Sequence, residues 1–165
     1  MSAIVQSWHF GRYPAMRSST ARELLTELTP ALLTVLSQTG QPDRALIAFD
    51  RFMAGLPTGV QLFSMFRANP ELLELLATVL GSAPRLAAAL SRRPRLFEAV
   101  LDPDFFGPMP SETELADAFA GLRTADTTYE EALDGARVAA QELALRIGIR
   151  ILSETVSADE AGLAY

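Results

Sequence analysis

At 165 residues, with 49% apolar and 21% charged residues, the chain is long enough for one globular domain with a real core and too apolar for bulk disorder. A net charge of −6 opposes a nucleic-acid partner, because phosphate backbones attract a basic face. Cysteine is absent and all 14 cationic residues are arginine, which excludes disulfides, thiol catalysis, thiolate-held zinc, a lysine nucleophile and a phosphate-loop lysine.

Met1 to Ser7 lacks the basic start and apolar run of a secretory signal. No stretch reaches the roughly 18 uninterrupted apolar residues of a membrane span. The expectation is a cytoplasmic protein with neither a membrane nor a nucleic-acid partner. Residues 1–19 read as an irregular arm in which Trp8, Phe10 and Tyr13 could pin the segment onto the body. Helix signals then follow one another from 20 to 101. Thr20 and Glu23 have capping-box spacing, and Leu24, Leu25, Leu28, Leu32, Leu33 and Leu36 recur at helical intervals, with Pro30 predicting a kink or two short helices. Gly40 predicts the stop.

A second helix is expected from about Asp43 to Met53, and a third through Val60, Leu62, Phe63, Met65 and Phe66. Asn69-Pro70-Glu71 opens the clearest helix, with Asn69 as its cap and Gly81 as its end. Shorter helices are expected after Pro84, through Leu90, and after Pro94, through Leu101. Helices this short barely form alone in water, so they must pack on one another.

Residues 102–110 (DPDFFGPMP) read as a Pro/Gly-rich loop, followed by a helical segment over 111–165. Ser111 with Glu114, and Thr128 with Glu131, have capping-box spacing. The second pair opens a long helix, about 128–153, whose apolar face reads Tyr129, Leu133, Ala136, Ala140, Leu143, Ile147 and Ile151. Gly135 and Gly148 each weaken it or permit another backbone to approach. Ser157 and Glu160 announce one more helix that barely begins, as in a piece of a longer protein. The fold expected is all-α, an irregular bundle of about seven or eight mostly short helices with one long C-terminal helix.

The residues that carry chemistry are sparse. His9 is the only histidine, so a Ser-His-Asp triad would have to run through it, and packing beside Trp8 is the plainer reading. Asp102 and Asp104 have the Asp-x-Asp spacing of magnesium sites, but they lie in a loop between helices without a phosphate-holding turn before them. Glu130, Glu131, Asp134 and Glu142 lack the Glu-x-x-His partners of a di-iron helix. Catalytic, cofactor-binding and metal residues are therefore expected to be none. Arg85, Arg92, Arg93 and Arg95 form the dense basic patch. Their forks suit carboxylate or phosphate recognition, and solvated charge at helix ends is the plainer reading. These four, with Arg137 and Gly148, are the candidate partner or domain contacts.

The run Leu56-Pro57-Thr58-Gly59-Val60-Gln61-Leu62-Phe63-Ser64, followed by Asn69-Pro70-Glu71-Leu72-Leu73, Gly81-Ser82-Ala83-Pro84 and Arg93-Pro94, resembles the bifunctional glutamine synthetase adenylyltransferase/adenylyl-removing enzyme family. Trp8, Gly11-Arg12-Tyr13, Arg17-Ser18, Arg146-Ile147-Gly148 and Val156-Ser157-Ala158 add to the likeness, which runs from about Trp8 to Tyr165.

The resemblance implies a helical region between two nucleotidyltransferase-like domains, one removing AMP from glutamine synthetase and the other attaching it. It implies ATP and magnesium as cofactors of the parent enzyme, and glutamine synthetase, the PII signal protein and the flanking catalytic domains as partners. The family's Gly-Ser turn and Asp-x-Asp strand are missing, so no catalytic residue is carried over. The expected role is a non-catalytic interdomain or regulatory segment, itself inactive, whose long helix packs one face on the chain's own bundle and offers the other to an absent catalytic core. The alternative is a stand-alone helical interaction module that holds a partner peptide in a groove.

Overall fold

The computed structural model describes residues 2–8, 13–101, 103–122 and 127–152. Among them all regular structure is helical, with eight α-helices and no strand, as the sequence predicts. The chain divides into two compact units, Met1–Phe97 and Glu98–Tyr165.

The first unit begins with a correction. The arm expected to be irregular holds α1 (Ser2–Trp8) and a 3-10 turn, Pro14–Met16. A helix of seven residues is too short to stand out in a sequence, and tertiary burial stabilises the segment: Trp8, Ala15 and Met16 are buried. α2 (Ser19–Ser37) runs unbroken through Pro30. The N–H that Pro30 lacks belongs to an exposed turn where water can serve the freed carbonyl, while Leu24, Leu25, Leu28, Leu32 and Leu36 anchor both halves in the core. Its cap is Ser18, whose hydroxyl accepts from the Ala21 N–H at 3.1 Å, rather than Thr20.

α3 (Pro42–Gly55), α4 (Val60–Ala68), α5 (Pro70–Ser82) and α6 (Pro84–Arg92) follow. α2 packs on α4 and α5, and α3 packs on α5 and α6, so α5 is the shared middle of the unit. Phe49, Phe52, Phe63, Phe66, Leu76 and Phe97 fill its centre with almost no exposure.

One junction recurs. Gln41, Asn69, Ala83 and Arg93 each precede a proline, and each has φ between −124° and −140° with ψ between 73° and 84°. The proline ring excludes the α conformation from the residue before it. A single residue at 69 and at 83 therefore ends one helix and turns the chain into the next; α5 and α6 meet at 116°. At Asn69 this overturns the expected cap. The Asn69 Nδ2 donates back to the Met65 carbonyl at 3.1 Å, serving the end of α4 rather than the start of α5.

After Pro94 the structure forms a 3-10 helix, Pro94–Leu101. The second unit contains a 3-10 turn (Pro103–Phe106), α7 (Glu112–Gly121) and α8 (Tyr129–Leu152). Both expected capping boxes at 111 and 128 form. The expected helix start at Ser157 lies outside the described residues.

No single described helix is long and apolar enough to cross a membrane. α5 and α6 reach the necessary length and composition only as the bent pair, and α5 spends five of its side chains on the core.

Candidate functional site

Among the arrangements of polar groups in the described residues, a groove and a clasp are the candidates. The first is a groove of about 570 Å³ in the N-terminal unit, running between α3 and α6, with Leu80 and Gly81 of α5 also in its lining. From α3 it is lined by Arg44, Ile47, Ala48, Arg51 and Ala54, and from α6 by Pro84, Ala87, Ala88, Ser91 and Arg92. Intervals of three and four place each set on one helical stripe. Ile47 is 43% exposed there.

The two helices can lie close because α3 ends in Gly55. A Cβ at that position would sit 2.6 Å from the Ser91 carbonyl oxygen, which no side chain tolerates without moving backbone. Arg44 Nη1 donates to Gln41 Oε1 at 2.7 Å. The ion pairs among the described residues are Arg67–Glu27 and Arg137–Asp134, so among those residues Arg44, Arg51 and Arg92 face the groove without a carboxylate partner.

The second arrangement is a clasp inside the C-terminal unit. Arg146 and Arg150 stand one turn apart on α8 and hold the Pro/Gly-rich loop by its carbonyls. Arg146 Nε donates to Phe105 O at 2.8 Å, and its Nη2 reaches Pro108 O at 3.3 Å. Arg150 Nη1 donates to Gly107 O at 2.6 Å. The Arg146 guanidinium also lies 6.0 Å from the centroid of the Phe105 ring, within cation–π range. Proline-rich loops leave carbonyls with no N–H to pair with, and a planar guanidinium can satisfy several of them. Apolar periodicity does not register these arginines, and the Phe105 carbonyl lies 41 positions from Arg146.

The candidate contacts scatter over these arrangements. Arg85, Arg93 and Arg95 are exposed and do not line the groove; Arg92 does, together with Arg44 and Arg51, which the basic run in the sequence does not include. Arg137 is exposed and paired with Asp134 at 3.0 Å, and Gly148 is half-buried on α8. The apolar face expected for α8 is largely a correction. Tyr129 is 80% and Leu133 38% exposed, and burial is confined to Leu145, Ile147, Ile149 and Arg150 near the C-terminal end.

Hydrogen bonding perturbs two carboxyls. The backbone N–H of Ser111, then its hydroxyl, holds the Glu114 carboxyl below the ordinary carboxylate value, and Thr128 does the same for Glu131. Both are caps at helix starts, not acids or bases in a cleft. Among the described residues no three His, Cys, Asp or Glu side chains lie close enough to hold a metal ion. His9 and Asp102 fall outside the described residues, as does the side chain of Asp104.

Comparison with known proteins places the chain. Over 162 residues, 98% of its length, it is 47% identical to a Mesorhizobium japonicum protein named bifunctional glutamine synthetase adenylyltransferase/adenylyl-removing enzyme. A protein of the same name from Brucella melitensis is 43% identical over 98% of this chain. One from Agrobacterium fabrum is 41% identical over all 165 residues. The chain spans 16% of the length of the first two relatives and 17% of the third. No protein-family model and no solved structure matches it.

Proposed function

We propose, from its membership of the bifunctional glutamine synthetase adenylyltransferase/adenylyl-removing enzyme family, that this chain is a non-catalytic helical segment of an enzyme that attaches AMP to glutamine synthetase and removes it. The observation that carries this reading is identity of 41–47% along essentially the whole chain, over about one sixth of the relatives' length. The packed short helices, the capped helix starts and the loop clasp are consistent with a structural segment.

In this reading the job is mechanical. Proline junctions fix the angles between the short helices. The Arg146–Arg150 clasp fixes where the 103–110 loop sits on α8. The N-terminal part of α8, with Tyr129 and Leu133 exposed, meets a catalytic domain of the longer enzyme. ATP, magnesium, glutamine synthetase and the PII signal protein belong in this reading to the longer enzyme.

The test is transfer of radiolabelled AMP from ATP to glutamine synthetase. The isolated 165-residue chain should give no labelling above a blank, while the longer enzyme carrying it labels its substrate. Turnover by the isolated chain would overturn the reading. A second reading, a stand-alone interaction module, draws on the arginine-lined groove. It predicts that glutamine synthetase labelling in cells is unchanged when the gene segment encoding this chain is deleted.

A further inference from the structure

We infer that the groove between α3 and α6 is the seat of an acidic amphipathic helix from a partner polypeptide segment. The inference goes beyond the proposed function and stands on the groove alone.

The shape comes first. Residues 44, 47, 48, 51 and 54 of α3 and residues 84, 87, 88, 91 and 92 of α6 form two stripes bordering one trough. A third helix laid along two such stripes buries its own apolar face against both. The α3 stripe spans about 15 Å, three helical turns. Half of the lining is small: Ala48, Ala54, Ala87, Ala88, Ser91 and Gly81. Small residues let a third backbone come close, and 570 Å³ leaves room for the large side chains the floor lacks. Ile47, 43% exposed, is the apolar anchor already present.

The charge comes second. Among the described residues three arginines and no carboxylate line the groove, in a protein whose net charge is −6. A cationic trough on an anionic protein selects acidic partners by attraction there and repulsion elsewhere. Arg44 and Arg51 stand seven residues apart on one helix, about 10.5 Å along its axis. That spacing matches two carboxylates placed two turns apart on a partner helix.

The experiment uses the 165-residue chain and a fluorescein-labelled synthetic peptide of about 18 residues, with Leu and Ala on one face and Glu on the other. A Lys-for-Glu analogue is the control, and fluorescence anisotropy is the readout. The Glu peptide should bind saturably and the Lys peptide should not. Arg51→Glu, Arg92→Glu and Ile47→Asp should each weaken binding about tenfold or more, with helix content by circular dichroism unchanged. Arg51→Ala, which removes the charge without reversing it, should fall between wild type and Arg51→Glu. No saturable binding, equal binding of the two peptides, or unaltered affinity in folded Arg51→Glu and Ile47→Asp proteins would overturn the inference. So would displacement of the Glu peptide by millimolar inorganic phosphate at constant ionic strength, which would identify a small-anion site instead.

Discussion

Asp50 ties the N-terminal segment to the body of the first unit through one oxygen. Its Oδ1 accepts from Trp8 Nε1 at 2.9 Å and from Tyr13 Oη at 2.6 Å. Trp8 is fully buried with its ring edge-on to Phe49. Asp50→Ala removes an acceptor from a buried indole and should cost about 2 kcal/mol. Trp8 is the sole tryptophan, so a urea transition followed by its fluorescence reads the loss directly. A midpoint matching wild type would show that the bonds are replaced by water at no cost. Gly55 offers a sharper contrast. Gly55→Ala gains helix propensity, about 1 kcal/mol, but sets a methyl group 2.6 Å from a backbone carbonyl, and should lose about 1–3 kcal/mol overall. A Cβ at Gly40 would meet nothing within 4 Å, so Gly40→Ala should be neutral or slightly stabilising. Equal effects from the two alanines would contradict a close approach of α3 to α6.

Among the elements, the helix ends carry the clearest pH dependence. Glu114 and Glu131 have depressed pKa values in the folded state. Their contribution to stability is therefore complete above the ordinary carboxylate value and is lost as pH falls through the lower, folded one. Urea midpoints measured in steps from neutral to acid pH should fall over that window. They should fall less in Glu131→Gln, which keeps an acceptor but cannot titrate. Parallel curves would mean that the carboxyl does not cap α8.

The clasp belongs to the same scale. Arg150→Met removes the bond to Gly107 O and should loosen the loop without unfolding the first unit. Cleavage by chymotrypsin beside Phe105 and Phe106 should then speed up several-fold, the protease acting on locally opened chain. An unchanged rate would show that the loop is held by other means. Elements of this kind divide by how legible they are in sequence. Capping boxes at 111 and 128 join residues three positions apart, so both can be read from the order of residues alone. Asn69 is misread because its amide has two helix ends within reach and serves the earlier one. The Arg146–Phe105 bond joins residues 41 positions apart, and no local pattern announces it.

For the whole molecule, helix class and the buried Leu and Phe stripes of the first unit follow from periodicity, because each short helix spends one face on the same core. α8 departs from that logic. Its apolar stripe reads as core, yet Tyr129, Leu133 and Ile151 are exposed and burial gathers near its C-terminal end. Periodicity reports that a face is apolar; it does not report what covers the face. The groove is hidden in the sequence for a related reason, since Arg44 and Arg51 join Arg92 only when α3 packs on α6. The bridging role proposed above predicts such a face, covered only in the longer enzyme.

Hydrogen–deuterium exchange of α8 tests that idea most directly, comparing the isolated 165-residue chain with the full-length enzyme that contains it. The amides of 129–140 should exchange quickly in the isolated chain and become protected at least about tenfold in the enzyme, with the core amides of 62–80 little changed. Equal exchange of 129–140 in both proteins would contradict the bridging role.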